Sequence, residues 1–296
     1  MTLPDTGSGS PRPASSPPPR WAWVLLFLAA ITTVLLPYLL WRSTWFGAPL
    51  ADADIVRFLE GDDPEDIQHA LEQLSRRLGA GQPAAPYAPA LLELTSHREP
   101  AVRLTVAWLL GEEGKSPAFR EALLGLLEDD HAGVRFNAGL ALCRFGEPAA
   151  RAVLLEMLRP LAVPSPCAGE VLERRGPGSR VRPGGALITL GQGSDTVDIP
   201  SPLLGKLLEG GAALGDRVAI GDPLVILDPE AEQILQALVG LGIVGLAEDE
   251  AAIEEVLLAH PGHDRIRTQG RATLERIRMG ARAQAEAEAS ASGLGG

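Results

Sequence analysis

The sequence predicts a multidomain chain of α and β structure: one transmembrane helix, an α-solenoid, and a small all-β barrel inserted into that solenoid. Three observations lead to this fold class. An uncharged apolar run near the N-terminus is long enough to cross a bilayer. Helical patterns then recur at a period of roughly 30–40 residues, as in solenoids. A short pattern of apolar runs separated by Gly and Pro occurs twice in succession and predicts strands.

The N-terminal region predicts a tail followed by an anchor. Residues 1–20 are rich in Pro, Ser and Gly and lack apolar periodicity, which is typical of disorder. Residues 21–41 carry no charge, and at helical rise they span about 31 Å, the thickness of one hydrocarbon core. A cleaved signal peptide is the alternative, but no good small-residue cleavage site follows. We therefore expect an uncleaved, single-pass transmembrane helix.

The arginines around this run bear on its orientation. Arg12 and Arg20 precede it, and Arg42 and Arg57 follow it, so the balance of positive charge is even. A short N-terminal tail left inside, with the bulk of the chain exported, is the preferred arrangement. The expected location is therefore the inner cell membrane, with most of the chain on the periplasmic side.

Residues 51–160 predict paired helices. The segment "VRLTVAWLLGEEG" from Val102 recurs as "VRFNAGLALCRFG" from Val134, and a weaker copy, "IQHALEQLSRRLG", begins at Ile67. A second type of helix alternates with these copies. The period and the Val-Arg step resemble HEAT repeats of the armadillo-type fold. That resemblance implies a solenoid whose long surface binds other proteins.

Three arginines occupy the same place in these repeats. Arg103 and Arg135 follow Val in the two clearer copies, and Arg267 follows Ile in a later helix. We expect the first two to cap or bridge turns between repeats. The alternative is that all three contact a partner protein.

Residues 163–228 contain an internal duplication. The run "PSPCAGEVLERRGPGSRVRPGGALITL" from Pro164 is followed by "PSPLLGKLLEGGAALGDRVAIGDPLVIL" from Pro200, and eight Pro, Gly, Val and Leu positions match with one single-residue slip. Each copy predicts short strands with Gly- and Pro-containing turns. Two such halves are expected to close into a barrel that leaves no sheet edge exposed.

Two segments of the duplication resemble biotinyl/lipoyl-type domains. "GDRVAIGDPL" (215–224) resembles their turn signature, and "SDTVDIPSP" (194–202) resembles the segment after their modified lysine. In that alignment Ser194 stands in the place of the lysine. A hydroxyl cannot form the amide bond, so we expect no biotin, no lipoate and no other cofactor. Asp195, beside it, is a candidate contact for a partner protein.

The same barrel occurs in periplasmic adaptor proteins of export pumps. Those adaptors carry a long helical hairpin between the two halves, whereas residues 191–199 alone join them here. The reach of an adaptor across the envelope is therefore not expected.

The remaining C-terminal sequence returns to helices. Residues 229–279 contain a further Ile-Arg step, and the segment before the barrel ends on the first helix type of a repeat. We therefore expect the barrel to be inserted between the two helices of one repeat, with the solenoid continuing beyond it. Residues 280–296, rich in Ala, Glu, Ser and Gly, are expected to be a disordered tail.

Composition and motifs bear on the class of function. A net charge of −12 and a pI near 4.9 argue against nucleic acid as a partner. "GEEGKS" (111–116) lacks the first glycine of a phosphate-binding loop and follows a helix. His260, His263 and Asp264 do not have a standard metal-ligand spacing. We expect no metal, no catalytic residues and no enzymatic activity.

Together these features predict a membrane-anchored, non-enzymatic scaffold or accessory subunit. Its partners would be other proteins, bound through the HEAT-like solenoid and the unmodified lipoyl-like barrel as part of a membrane complex. An export- or efflux-associated periplasmic adaptor-like protein is the first alternative. A carrier-type subunit of an enzyme complex is the second.

Overall fold

The structure, a computed structural model, describes residues 31–33, 35–38, 50–113 and 116–293, with backbone alone for 287–293. The chain divides into two units, Met1–Ala51 and Asp52–Gly296. In the first unit, the described residues before position 50 are helical. All elements named below belong to the second unit.

The prediction of a single-pass membrane protein is wrong on the described residues. None of the helices in the described ranges is both long and apolar enough to cross a membrane. Most of the predicted anchor (21–41) and all of the predicted tail (1–20) lie outside the described residues. A span requires a continuous apolar helix of about 20 residues, and the described ranges contain none. The predicted inner-membrane location and periplasmic orientation depended on that helix, so they are wrong for the same reason.

Ten α-helices occur in the described part of the second unit. They are α1 (Asp52–Leu59), α2 (Pro64–Gly79), α3 (Ala88–Glu93), α4 (Pro100–Glu113), α5 (Pro117–Leu126), α6 (Ala132–Cys143), α7 (Arg151–Met157), α8 (Ala231–Val244), α9 (Glu250–Ala259) and α10 (Asp264–Gly293). Short 3-10 turns precede α3, α7 and α9 and follow α3.

Local sequence sets the helix starts. Pro64 and Pro117 occupy the first turns of α2 and α5, where a missing N–H costs nothing. Asp63 accepts a hydrogen bond from the amide of Glu65 and caps α2. The helices pack in successive pairs, α1/α2, α5/α6, α7/α8 and α9/α10, and α4 packs against the 3-10 turn Leu94–Ser96 that follows α3. The second helices also contact one another from α2 to α10. The pairs therefore stack as a solenoid does.

Eight strands form the β domain, in two four-stranded antiparallel sheets. They are β1 (Leu161–Pro164), β2 (Gly169–Arg174), β3 (Arg180–Val181), β4 (Ala186–Gln192), β5 (Asp195–Pro200), β6 (Gly205–Leu207), β7 (Arg217–Val218) and β8 (Pro223–Pro229). The strand orders are β1-β8-β6-β3 and β5-β4-β2-β7. Thirteen buried residues, from Val163 to Leu227, fill the space between the sheets.

The duplication explains this topology. The first copy supplies β1–β4 and the second supplies β5–β8. Exchanging the copies converts one strand order into the other. Each sheet therefore combines strands from both halves, and register is fixed by pairs such as Gly169 with Val218 and its counterpart Gly205 with Val181.

The predicted closed barrel is corrected to two open sheets. The edge strands β3 and β7 are two residues long, too short to pair along β5 and β1 and close the structure. Asp195, Asp198 and Pro200 lie on the free edge strand β5, and charges and proline at such an edge disfavour pairing with another chain.

The β domain lies in sequence between two helices that pack together. β1 pairs with β8, so the two ends of the domain are adjacent, and α7 contacts α8. Gln233 of α8 donates to the carbonyl of Met157 at 2.9 Å. Arg151 of α7 pairs with Asp249, just before α9, through bonds of 2.7 and 2.8 Å. The exact boundaries drawn from sequence stay predictions.

The last helix departs from the predicted tail. α10 continues to Gly293, whereas the sequence predicted disorder from residue 280. Ala is the commonest residue of this extension, and it is the strongest helix former. A segment that lacks apolar residues for a core can therefore still extend a helix that begins before it.

Close packing of α4 on α6 requires Gly111. A Cβ at this position would overlap the methyl group of Ala141 and lie 2.9 Å from its Cα, which is a backbone atom and cannot rotate away. We expect Gly111→Ala to lower the free energy of unfolding by about 2 kcal/mol, measured by chemical denaturation.

Gly125→Ala is the matched control for this prediction. Gly125 lies in α5 and a Cβ there meets no atom within 4 Å. Better helix propensity should leave the control unchanged or stabilise it by up to about 1 kcal/mol. Equal behaviour of the two variants would contradict the close approach of α4 and α6.

Candidate functional site

A groove of about 730 Å³ opens on the second helices of four successive pairs. We call it the inner groove. Its lining residues are Trp108, Gly111 and Glu112 of α4, Asn137, Leu140, Ala141 and Cys143 of α6 with the following Arg144, Glu232, Leu235, Gln236, Val239, Gly240 and Ile243 of α8, and Asp264, Arg265, Thr268 and Gln269 of α10. The groove therefore includes helices from both sides of the β domain in sequence.

Exposed apolar side chains form much of its surface. Trp108 is 41% exposed, Val239 47% and Ile243 54%. Val239 and Ile243 are four residues apart on one face of α8, and we call this pair the apolar stripe. Leu246 follows in extended backbone, just beyond the end of the helix at Val244. Apolar side chains exposed together along one groove are typical of a binding surface, whereas scattered ones are not.

Glycines keep the groove shallow at two helix crossings. Gly111 lets α4 approach α6, as described above. A Cβ at Gly240 of α8 would lie 2.9 Å from both the Sγ of Cys143 and a methyl group of Leu154. The backbones of α4 and α6 thus approach closely at Gly111, whereas at Gly240 the buried side chains of Cys143 and Leu154 fill the space of the missing Cβ.

Ion pairs neutralise the charges of the inner groove. Arg144 pairs with Glu112 at 2.6 Å, and Arg265 pairs with Glu232 at 3.4 Å. The hydrogen bond with Glu112 raises the pKa of Arg144. Asp264 lies 3.6 Å from Arg267. The charged groups that line the groove therefore already have partners within the chain.

A second groove of about 590 Å³ meets the inner groove at Ile243. It lies between the C-terminal end of α8 and residues 276–284 of α10, and it includes the exposed Leu246. Arg276 lies in this groove, with its Nη1 atom 3.5 Å from where a Cβ of Gly242 would be. We call the two grooves together the trough.

Cys143 lies at the base of the inner groove. Its thiol donates to the carbonyl of Gly139 at 3.3 Å, and burial raises its pKa to about 11. The thiolate is therefore scarce near neutral pH, and this cysteine is poorly suited to act as a nucleophile.

Two of the predicted contact arginines bridge turns. Arg103 pairs with Asp129 at 2.6 and 2.7 Å and donates to the carbonyl of His97 at 2.8 Å. Arg135 repeats this pattern with Glu156 at 2.6 Å and the carbonyl of Asp129 at 2.7 Å. Because these bonds join successive helix pairs, the guanidinium groups act within the chain. Neither arginine lines the trough.

The other predicted contacts lie elsewhere. Arg267 lies near the start of α10 and donates to the carbonyl of Pro261 at 3.3 Å. Ser194 and Asp195 lie at the tip of the β4–β5 hairpin, where the Oγ of Ser194 donates to Asp195 at 3.3 Å. The structure does not bring these residues together, and their role as protein contacts stays a prediction.

The residues of the trough were missed in the sequence. The signal available was the pattern of α8, where apolar residues cover more than one face, so that one apolar stripe must remain outside the core. Trp108 gives no such signal, because a single aromatic residue within a repeat helix is also typical of core packing.

His260 and His263 lie in the loop between α9 and α10. Within the described residues, no group of three or more His, Cys, Asp or Glu side chains is placed to hold a metal ion. The Nδ1 of His260 lies 3.0 Å from the carbonyl of Val256, a contact within the chain.

Comparison with known proteins identifies the repeat type of one segment. Residues 87–160, which contain α3 to α7, match the family model for HEAT repeats. This match supports the HEAT-like solenoid predicted from the sequence. HEAT repeats commonly mediate protein–protein interaction, so a role in binding other proteins is supported at that level.

The other comparisons add little. No curated protein matches the chain. One matching solved structure is described as a single-chain, multi-domain long-chain acyl-CoA carboxylase. It is 21% identical, with a TM-score of 0.23, over 32% of this chain and 10% of that chain. The chain thus spans about a tenth of that protein.

Proposed function

We propose that the chain is a non-enzymatic scaffold or accessory subunit that binds a partner protein in the trough. The observation that supports this proposal is the exposed apolar surface of Trp108 on α4 and of Val239 and Ile243 on α8, which line one groove of a HEAT-like solenoid. Burying a partner's apolar side chains on this surface supplies the free energy of association.

The partner is an amphipathic helix. Val239 and Ile243 form an i, i+4 ridge on α8, and a second helix packs on such a ridge with its own i, i+3, i+4 and i+7 side chains. Leu246 adds apolar surface just beyond the end of α8. Trp108 and Leu140 extend the apolar surface to neighbouring helices. Aromatic side chains in the centre of an interface commonly contribute most of its binding free energy.

The β domain serves as an unmodified structural insertion in this proposal. Its β4–β5 hairpin presents Ser194 and not lysine at the tip. Its loop at Pro202 lies against the first turn of α6, where a Cβ at Gly133 would be 3.0 Å from the Pro202 carbonyl. This contact holds the domain against the solenoid, so it can fix the spacing of α7 and α8.

The test uses a phage-displayed library of amphipathic helical peptides, selected on the full-length chain. Selected peptides are synthesised with a fluorophore, and their affinity is measured by anisotropy. Ile243→Glu places a charge on the apolar stripe and should weaken binding at least about tenfold, a loss of about 1.4 kcal/mol.

Leu258→Glu is the matched control. Leu258 lies on α9, is 82% exposed and does not line the trough, so the same substitution there should change affinity by less than about twofold. Failure to select any helix over a scrambled sequence, or equal effects of the two variants, would contradict the proposal.

A further inference from the structure

Arg276 is the unmatched charge of the trough. Each carboxylate that lines it has a cationic partner: Glu112 with Arg144, Glu232 with Arg265, Glu248 with Arg151, and Asp264 with Arg267. Among the described residues, no ion pair or hydrogen bond of the Arg276 side chain occurs, although the neighbouring Arg278 pairs with Glu250 and Glu254.

The position of Arg276 is set by packing. The side chain lies over Gly242, with its Nη1 atom 3.5 Å from where a Cβ would be, beside the exposed Ile243 and Leu246. Its guanidinium group therefore lies at the C-terminal end of the apolar stripe on α8. A guanidinium group presents a planar set of donors that fits a carboxylate bidentately.

We infer that the partner helix carries a carboxylate that pairs with Arg276 when its apolar face lies on Val239, Ile243 and Leu246. The inference rests on the proposed function and adds to it the charge and register of the partner. Complementary charge beside an apolar stripe fixes orientation and register, since a helix bound the other way round would leave Arg276 unpaired.

The charge pattern favours this occupant over a purely apolar one. A purely apolar helix would cover the guanidinium group without supplying an acceptor, and desolvating an unpaired charge opposes binding. Basic residues at the same point would face Arg276 directly and be repelled.

The test extends the peptide selection. Peptides selected on the full-length chain should share an Asp or Glu at one fixed distance from their apolar residues. Arg276→Glu should weaken their binding about tenfold or more, whereas Arg271→Glu should change it less than about twofold. Arg271 is the control because it is also exposed on α10, causes the same change of net charge and lies outside the trough.

Charge reversal on both sides supplies a second readout. A selected peptide with its acidic residue changed to Lys should bind the wild-type chain weakly and recover affinity for Arg276→Glu. Loss of binding in Ile243→Glu together with unchanged binding in Arg276→Glu would overturn this inference and leave the proposed function standing. Unchanged binding in both variants would overturn both.

The oligomeric state tests the competing occupant. Light scattering should show the same oligomeric state for the wild-type chain and for Ile243→Glu. A dimer that Ile243→Glu converts to a monomer would identify a second copy as the occupant and would overturn the inference.

Discussion

Replacing Asp249 by alanine is expected to lower the free energy of unfolding by about 3 kcal/mol, because it removes one partner of a buried ion pair. Asp249 is 2% exposed, and its carboxylate accepts two bonds from Arg151 and one from the amide of Leu246 at 2.8 Å. The substitution leaves the amide of Leu246 without its acceptor and leaves Arg151 with Glu248 alone, at a contact that joins α7 to the start of α9. The measurement is chemical denaturation of the full chain.

Glu248→Ala is the control for Asp249. Glu248 pairs with the same arginine, but its side chain is 67% exposed, so its removal should cost less than about 1 kcal/mol. If both variants lost equally little stability, the helices before and after the β domain would not be coupled through this pair. The trough would then depend on the packing of α8 against α6 and α7 without this ion pair.

Asp129→Asn is expected to cost about 2 to 3 kcal/mol near neutral pH. The side chains of Asp129 and Arg103 are 7% and 11% exposed, so the variant leaves a nearly buried cation without its main partner. Asp129 also accepts a hydrogen bond from the amide of His131 at 2.8 Å. Asp130→Asn is the control, because Asp130 pairs with the same arginine but is 90% exposed and should matter little.

The cost of Asp129→Asn should depend on pH. Burial raises the pKa of Asp129, but the hydrogen bonds from Arg103 and from the amide of His131 outweigh burial and leave it below its ordinary value. A depressed pKa in the folded state means that the carboxylate stabilises the fold above its unfolded pKa, about 3.9. This stabilisation is lost as the pH falls through the folded pKa.

The difference in stability between wild type and Asp129→Asn should therefore be constant from about pH 5 to 7 and shrink below about pH 4. Denaturation curves recorded across this range provide the measurement. A difference that did not change with pH would show that Asp129 contributes through packing alone.

The helical repeats were predicted from the periodicity of the sequence. The Val-Arg steps at residues 102 and 134 placed two second helices correctly, since repeated local sequence forms repeated local structure. The same alignment anticipated that Arg103 and Arg135 bridge turns. The duplication likewise predicted two related halves of strands, and both are present.

Sheet closure and the membrane helix could not be read from the same patterns. Whether two halves close depends on the length of the edge strands, and β3 and β7 proved to be two residues long. An apolar run shows that a span is compatible with the sequence, but the described residues contain no helix able to cross a membrane. Both patterns report local preference and not the final tertiary arrangement.

The trough depends on tertiary contacts that are distant in sequence. Trp108 and Val239 line one groove although the β domain lies between them in the chain. Which apolar face of α8 enters the core is decided by α7 and α10 together. The sequence also does not show which charged groups of the trough are paired. Only the structure shows that Arg276 has no partner among the described residues, while the other charged groups of the trough have one.

Site-specific photo-crosslinking tests the central claim that the trough binds a partner helix. Val239 and, as a control, Leu258 are each replaced by p-benzoylphenylalanine in the full chain, and a selected helical peptide is added before irradiation. The account predicts a crosslinked peptide at position 239 and none at position 258. Crosslinking at position 258 alone, or equally at both positions, would contradict it.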